Sequence, residues 1–132
     1  MKTILIVDDS EIQLNLVSSF LNTEERKIIT ARDGIEGFNQ ALTNRPDLII
    51  TDLVMPGLSG LEFCRQLKKD ERLKKIPIIV CSSKDRDIDR KWSFKQGASA
   101  YLVKPFGKEV INLAIEKCLS QGVTGCRATM VG

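Results

Sequence analysis

Short apolar runs that end in charged residues constrain this chain more than any other feature of its sequence. Runs of this length, bounded by polar residues, are typical of strands buried on both faces of a parallel sheet. Three of them end in charges: Asp8 and Asp9 follow 3–7, Asp52 follows 48–51, and Lys104 follows 100–103. Because the carboxyl ends of parallel strands share one edge, we expect three carboxylates and one ammonium group to meet there. The pattern therefore predicts a functional site at that edge.

The order of elements along the chain is a strand followed by a helix, repeated five times. We predict strands near 3–7, 27–31, 47–52, 77–82 and 100–103, each followed by a helical pattern. Capping boxes mark two helix starts, Ser10 with Gln13 and Ser59 with Glu62, and the last helix is predicted near 108–120. Five alternations with short connections indicate an α/β fold, a doubly wound parallel sheet with right-handed crossovers.

The length of the chain favours a single domain. Its 132 residues, of which 42% are apolar, are enough for one real core. We expect that domain to cover residues 1–120, because the sequence over 121–132 has no periodicity and predicts a loosely ordered tail.

The composition and net charge of the chain argue against several classes of function and indicate a cellular compartment. A net charge of +3 with scattered basic residues gives no reason to expect direct nucleic-acid binding. The chain has no histidine and its four cysteines form no C-x-x-C pair, which argues against a zinc site. No apolar run approaches the ~20 residues that span a bilayer, and Met1 and Lys2 pass directly into the first strand. We therefore expect no membrane insertion, no secretory signal and a cytoplasmic location, which scattered free thiols also suit.

The acidic cluster sets the chemistry of the predicted site. Two carboxylates ~4 Å apart repel by about 4 kcal/mol near a protein surface, so Asp8, Asp9 and Asp52 need a compensating cation. Hard oxygen ligands that are few and near water suit Mg²⁺, which keeps several of its waters. A carboxylate beside a bound metal can also act as a nucleophile and take a phosphoryl group. The alternative is that these aspartates are loop residues and helix caps, which suits Asp9 alone but not three acids together with Lys104.

Four motifs at the ends of the first, third, fourth and fifth strands resemble those of one family. They are Val7-Asp8-Asp9-Ser10, Asp52-Leu53-Val54-Met55-Pro56-Gly57, Ser82-Ser83 and Lys104-Pro105-Phe106. Together they resemble the response-regulator receiver domain, the phosphoacceptor half of two-component signalling, and the resemblance covers residues 2–120. It implies a flavodoxin-like three-layer sandwich with a five-stranded sheet in the order 2-1-3-4-5, the order for which the family's chemotaxis member is the standard example.

The resemblance implies a role for each charged residue at the predicted edge. It makes Asp52 the phosphoacceptor, and it lets Asp8, Asp9, Asp52 and the backbone carbonyl of Val54 hold Mg²⁺. Lys104 would pair with a phosphoryl oxygen, since a metal and a cation together neutralise the oxygens of a phosphoryl group in transfer.

Three further positions would form a switch. By register Ser82, rather than Ser83, fills the place of the family's switch hydroxyl, and Tyr101 fills that of its switch aromatic. Pro105 takes the place of a cis-proline, at the one kind of peptide bond where the cis form costs little. For Tyr101 the alternative is a half-buried aromatic of the fifth strand; as a switch it would swing inward on phosphorylation.

The resemblance also implies a function and partners. The chain would be a stand-alone response regulator that takes a phosphoryl group from a histidine kinase or a phosphotransfer protein. It would then change its affinity for a downstream protein through the face formed by the fourth helix, the fifth strand and the fifth helix. It would catalyse only its own phosphorylation and dephosphorylation, so it would not be an enzyme in the usual sense. The residues around Trp92 resemble single-domain regulators of type IV pilus motility, which points to chemotaxis or pilus machinery as the target.

Two other protein classes share parts of this pattern. Haloacid-dehalogenase-type phosphatases also use an aspartate nucleophile, Mg²⁺ and a lysine, but they carry a second acid two residues after the nucleophile, where this chain has Val54. Nucleotide-binding α/β domains carry a G-x-G-x-x-G or G-K-[ST] loop after the first strand, and this chain has no such loop there. Each alternative lacks a feature that its chemistry needs.

Overall fold

The structure, a computed structural model, describes the backbone of residues 1–125 and 128–131 and the side chains of residues 1–120. In that part of the chain six strands alternate with five helices. The strands are β1 (Lys2–Val7), β2 (Arg26–Ala31), β3 (Leu48–Asp52), β4 (Ile78–Ser82), β5 (Ala100–Val103) and β6 (Ala128–Val131). The helices are α1 (Glu11–Leu21), α2 (Gly34–Asn44), α3 (Gly60–Lys69), α4 (Asp87–Lys95) and α5 (Lys108–Gly125). All five predicted strands and all five predicted helices are present.

The sheet is parallel between every pair of neighbouring strands, in the order β2-β1-β3-β4-β5-β6. The predicted order 2-1-3-4-5 is confirmed for the first five strands, and β6 adds a strand beside β5. Val7 pairs with Thr51 and Ser82 pairs with Val103, so β1, β3, β4 and β5 end at the same edge. The residues that follow these strands are therefore brought together.

Side-chain caps fix where the first three helices begin. The Ser10 hydroxyl accepts a hydrogen bond from the Gln13 N–H at 3.3 Å, and the Ser59 hydroxyl accepts one from the Glu62 N–H at 3.3 Å, as the capping boxes predict. The carboxylate of Asp33 caps α2 in the same way. Each cap satisfies an N–H group that has no partner within its own helix. The caps thereby fix the loops that leave the functional edge of the sheet.

Apolar side chains form two cores, one on each face of the sheet. One core packs α1 and α5 against the sheet, and the other packs α2 and α3 against the opposite face. Along β1, Ile4 and Ile6 belong to the first core, whereas Leu5 and Val7 belong to the second. Close packing on both faces holds a central strand in place, so the position of its carboxyl end is fixed as well.

The C-terminal backbone differs from the sequence-based prediction. The helix α5 continues to Gly125 instead of ending near residue 120, and β6 pairs with β5. A missing apolar periodicity does not stop a helix, since an internal glycine costs only about 1 kcal/mol and no proline interrupts this segment. Loose order over 121–132 stays a prediction, and residues 126, 127 and 132 lie outside the described residues.

Candidate functional site

The three predicted aspartates come together at the carboxyl edge of the sheet. Asp8 and Asp9 directly follow β1, and Asp52 is the last residue of β3, which pairs with β1. Carboxylate oxygens of the three residues lie within 4.8 Å of one another. Asp8 is buried, Asp52 is half-buried and Asp9 is exposed, so water reaches the cluster on the side of Asp9.

Lys104 adds a positive charge to this cluster. Its Nζ atom lies 3.3 Å from Asp8 Oδ2 and 3.2 Å from Asp52 Oδ1. Its backbone N–H donates to the Ser82 carbonyl at 2.7 Å, which ties the residue to the end of β4. All three charged side chains are largely shielded from water, where the attraction between opposite charges is stronger than at an exposed surface. The ammonium group of Lys104 therefore supplies part of the positive charge that the sequence predicts for this cluster.

Asp8 and Asp52 differ in the oxygen atoms that remain available. Asp8 Oδ1 accepts a hydrogen bond from the Ser10 N–H at 2.9 Å, so the Asp8 carboxylate is held through both oxygens. No side chain of the described residues donates a hydrogen bond to Asp52 Oδ2, whereas Oδ1 is held by Lys104. The Asp52 side chain is 15% exposed, so water reaches this carboxylate. A carboxylate in this position can act as a nucleophile.

Burial and charge shift the pKa values of the two central groups. Burial raises the pKa of the Asp52 carboxyl; the Asp8 charge adds to this shift, and the Lys104 charge opposes it. Burial by itself would lower the pKa of Lys104, but the charges of Asp52 and Asp8 outweigh it and raise that pKa above its usual value. Lys104 therefore stays protonated, and the Asp52 carboxylate is more basic than an exposed one, which suits a nucleophile.

Cys81 of β4 pairs with Asp52 of β3, and its side chain is also of a type that can act as a nucleophile. Burial raises the pKa of its thiol to about 12. The thiol is therefore protonated at neutral pH, and the thiolate rather than the thiol is the reactive form. Cys81 is a small core residue, as its position inside an apolar run predicts.

The donor set fits a hard divalent cation. Three clustered carboxylates, one of them exposed, suit Mg²⁺, which binds through oxygen and retains several waters. The carboxylates are the ligands that the structure brings together. A ligand role for the backbone carbonyl of Val54, in the loop that follows β3, stays a prediction.

Ser82 and Tyr101, the two predicted switch side chains, are both buried. The Ser82 hydroxyl accepts a hydrogen bond from the Lys84 N–H at 3.1 Å, and the Tyr101 hydroxyl donates one to the Lys84 carbonyl at 2.6 Å. The Tyr101 side chain is 0% exposed, so its ring already occupies the inward position expected only after phosphorylation. Inside the protein the ring packs in the core while its hydroxyl keeps an acceptor. The Lys104–Pro105 peptide bond is cis, as the resemblance implies.

Two contacts at this edge were missed by reasoning from the sequence. The backbone of Lys84, whose side chain is exposed, links the two switch side chains. Gly60, the first residue of α3, donates its N–H to the carbonyl of Leu53, the residue after Asp52. Position relative to a strand end is the only sequence signal for either contact, and it does not show where the backbone makes hydrogen bonds.

Comparison with known proteins identifies the family. The model of the response regulator receiver domain matches residues 4–116. The chain belongs to this family. The receiver domain is 37% identical over 120 residues to Protein PilH of Pseudomonas aeruginosa, a match that covers 91% of this chain and 99% of PilH. It is 36% identical over 118 residues to the alkaline phosphatase synthesis transcriptional regulatory protein PhoP of Bacillus subtilis, covering 89% of this chain but 48% of PhoP.

A solved structure supports the same family assignment. The chemotaxis response regulator CheY4 of Vibrio cholerae matches with a TM-score of 0.82 at 31% identity, over 88% of this chain and 97% of that one. The chain is thus a signalling module of a two-component system rather than a metabolic enzyme. Histidine kinases or phosphotransfer proteins are the partners that this family implies, and the acidic cluster fits its use of phosphorylation and Mg²⁺. None of the helices over the described residues has the length and apolar character needed to cross a bilayer.

Proposed function

We propose that this receiver domain is a stand-alone cytoplasmic response regulator that accepts a phosphoryl group on Asp52. The observation that carries the proposal is the place of the Asp52 carboxylate, which lies 3.2 Å from the Lys104 ammonium group and within 4.8 Å of carboxylate oxygens of Asp8 and Asp9. The donor is a histidine kinase or a phosphotransfer protein. The match over 99% of PilH supports the stand-alone form.

In the proposed reaction Asp52 Oδ2 attacks the phosphorus atom of the donor. The bond from phosphorus to the donor's nitrogen or oxygen breaks, its electron pair leaves with the donor, and Asp52 becomes an acyl phosphate. Lys104 holds its ammonium group beside the phosphoryl oxygens, which stabilises the charge spread over them in the transition state. Asp8, Asp9, Asp52 and the Val54 carbonyl would hold Mg²⁺, which supplies further charge neutralisation when bound. The domain then catalyses only its own phosphorylation and its own dephosphorylation by water.

The proposed output surface is the face formed by α4, β5 and α5, in which α4 offers the exposed side chains because β5 is buried and pairs with β6. On α4, Ile88 and Trp92 lie one turn apart with 53% and 45% of their surface exposed. Lys95 Nζ lies 5.0 Å from the centre of the Trp92 ring, and Lys91 beside it is exposed. Large apolar side chains that remain exposed together mark interaction sites, and the lysines around them favour an acidic partner. We propose a protein of chemotaxis or pilus machinery as this partner.

Labelling with acetyl phosphate in the presence of Mg²⁺ tests the assignment of Asp52. Intact mass spectrometry should show one phosphoryl group on the wild type and none on Asp52→Asn, whose circular dichroism should remain that of a folded protein. Asp87→Asn makes the same change at an exposed aspartate of α4 and should be labelled like the wild type. An Asp52→Asn variant that still takes up phosphate at full stoichiometry would sink the assignment.

A further inference from the structure

The first residue of α3 lies against the backbone of the proposed phosphoacceptor. The Gly60 N–H donates to the Leu53 carbonyl at 2.9 Å. A Cβ atom at Gly60 would lie 2.2 Å from the Asp52 carbonyl oxygen, 2.8 Å from Leu53 Cα and 2.9 Å from the Leu53 carbonyl oxygen. Real Cβ atoms essentially never come within 3.0 Å of such atoms. Residue 60 therefore has no room for a side chain of any kind.

Gly60 differs from Gly34, the first residue of α2, in the kind of atom that an added Cβ atom would meet. The three atoms nearest to a Cβ atom at Gly34 all belong to the side chain of Leu58, the closest at 2.7 Å. A side chain can move to another rotamer, but the backbone at the end of a central strand can move only together with that strand. A group added at Gly60 would thus act directly on the part of the chain that carries Asp52.

The backbone of Asp52 and Leu53 also makes hydrogen bonds to β4 and to Thr51 of β3. The Leu53 N–H donates to the Cys81 carbonyl in β4 at 3.0 Å, and the Thr51 hydroxyl donates to the Asp52 carbonyl at 3.1 Å. This backbone segment is therefore enclosed between β4 and α3. Any group added on the side of α3 has to displace either the helix or the segment itself.

We propose that Gly60 is a positioning residue for phosphoryl transfer, because the missing side chain sets where Asp52 and the Val54 carbonyl lie. This inference rests on the proposed role of Asp52. The distance of 3.2 Å between Asp52 Oδ1 and Lys104 Nζ depends on the backbone that Gly60 contacts. A displacement of about 1 Å at a reacting group can slow a reaction about a hundredfold, even when the fold persists.

Gly60→Ala tests this inference beside two control variants. Gly34→Ala adds the same methyl group at a position where the nearest atoms belong to a side chain. Leu67→Ala removes a fully buried side chain from α3, which lowers stability without adding an atom near Asp52. Mg²⁺ affinity is measured by calorimetry and the labelling rate with acetyl phosphate, at a temperature where unfolding curves show that every variant is folded.

We expect Gly60→Ala to lose about tenfold in Mg²⁺ affinity and about ten- to a hundredfold in labelling rate, while both controls stay within about twofold of the wild type. Wild-type affinity and rate in Gly60→Ala would overturn the inference. A Gly60→Ala protein that does not fold even in the cold with sucrose would overturn it too, because the glycine would then serve the fold rather than the site. A wild type that takes no label refutes the proposed function instead, and Mg²⁺ affinity alone then decides the role of Gly60.

Discussion

The Tyr101 hydroxyl donates a hydrogen bond to the carbonyl oxygen of Lys84 at 2.6 Å. The N–H of the same lysine donates to the Ser82 hydroxyl at 3.1 Å. The backbone of one residue thus connects the proposed switch hydroxyl to the buried aromatic ring. A change at Ser82 can reach Tyr101 in β5, which packs against α4, without the ring leaving the core.

A phosphoryl mimic should pull the Ser82 side chain towards the phosphoryl group and thereby weaken its hydrogen bond from the Lys84 N–H. The added negative charge, about −1.5 to −2 for a phosphoryl group, attracts the Ser82 hydroxyl as a donor. With beryllofluoride and Mg²⁺ we expect large amide shifts at Lys84, in α4 and in β5, as the population moves between two states. Amides of β2, at the opposite edge of the sheet, serve as the reference in the same NMR spectra. Unchanged shifts in α4 and β5 would show that this mechanism is wrong.

Asp9→Ala should weaken Mg²⁺ binding more than alanine at either of the other two aspartates of the cluster. Asp9 is the exposed carboxylate, and no ion pair with Lys104 competes with the metal for it. We expect the affinity for Mg²⁺ to fall about tenfold or more. Replacing even a residue that only orients a metal ligand has an effect of this size. Calorimetric titration measures it, with Asp87→Ala as the control. An affinity equal to that of the wild type excludes Asp9 as a ligand.

Asp52→Asn should stabilise the protein at neutral pH when no divalent cation is present. Burial raises the pKa of the Asp52 carboxyl in the folded state, so ionisation is easier in the unfolded chain. Stability therefore falls as the pH rises from the unfolded value, near 3.8, through the folded one. Asparagine does not ionise, so the extra stability of Asp52→Asn over the wild type grows across this pH range and is absent below it. Urea unfolding midpoints across this range measure the effect, and an advantage that is independent of pH contradicts its cause.

Val54→Asn should shorten the lifetime of the phosphorylated protein. The Val54 side chain is 56% exposed and offers no polar group to orient a water molecule for attack on the acyl phosphate. An amide that orients this water should speed hydrolysis, on the order of tenfold, through better alignment. Decay of the labelled protein is followed by mass spectrometry, with Ile35→Asn as a control for an exposed apolar residue on α2. Equal decay in the wild type and Val54→Asn would contradict the expectation.

The sequence predicts the site better than it predicts the switch. Asp8, Asp52 and Lys104 meet because the ends of parallel strands must share an edge, and apolar runs show where those strands end. The inward ring of Tyr101 could not be predicted in the same way. Periodicity indicates which residues face the core, but not which backbone carbonyl a buried hydroxyl reaches. The contact of Gly60 with Asp52 escapes prediction for a similar reason, since it depends on the angle at which α3 leaves the sheet.

Lys104 lies between two of the three carboxylates, so the four side chains at this edge together carry a charge of −2. A divalent ion cancels that charge, whereas a monovalent ion leaves half of it. Phosphorylation on top of a neutral cluster then adds a net negative charge of about one-half to one. The added phosphoryl group thus acts on nearby residues through its electric field. The Ser82 hydroxyl that it acts on is buried, and dissolved salt screens the interactions of buried groups only weakly.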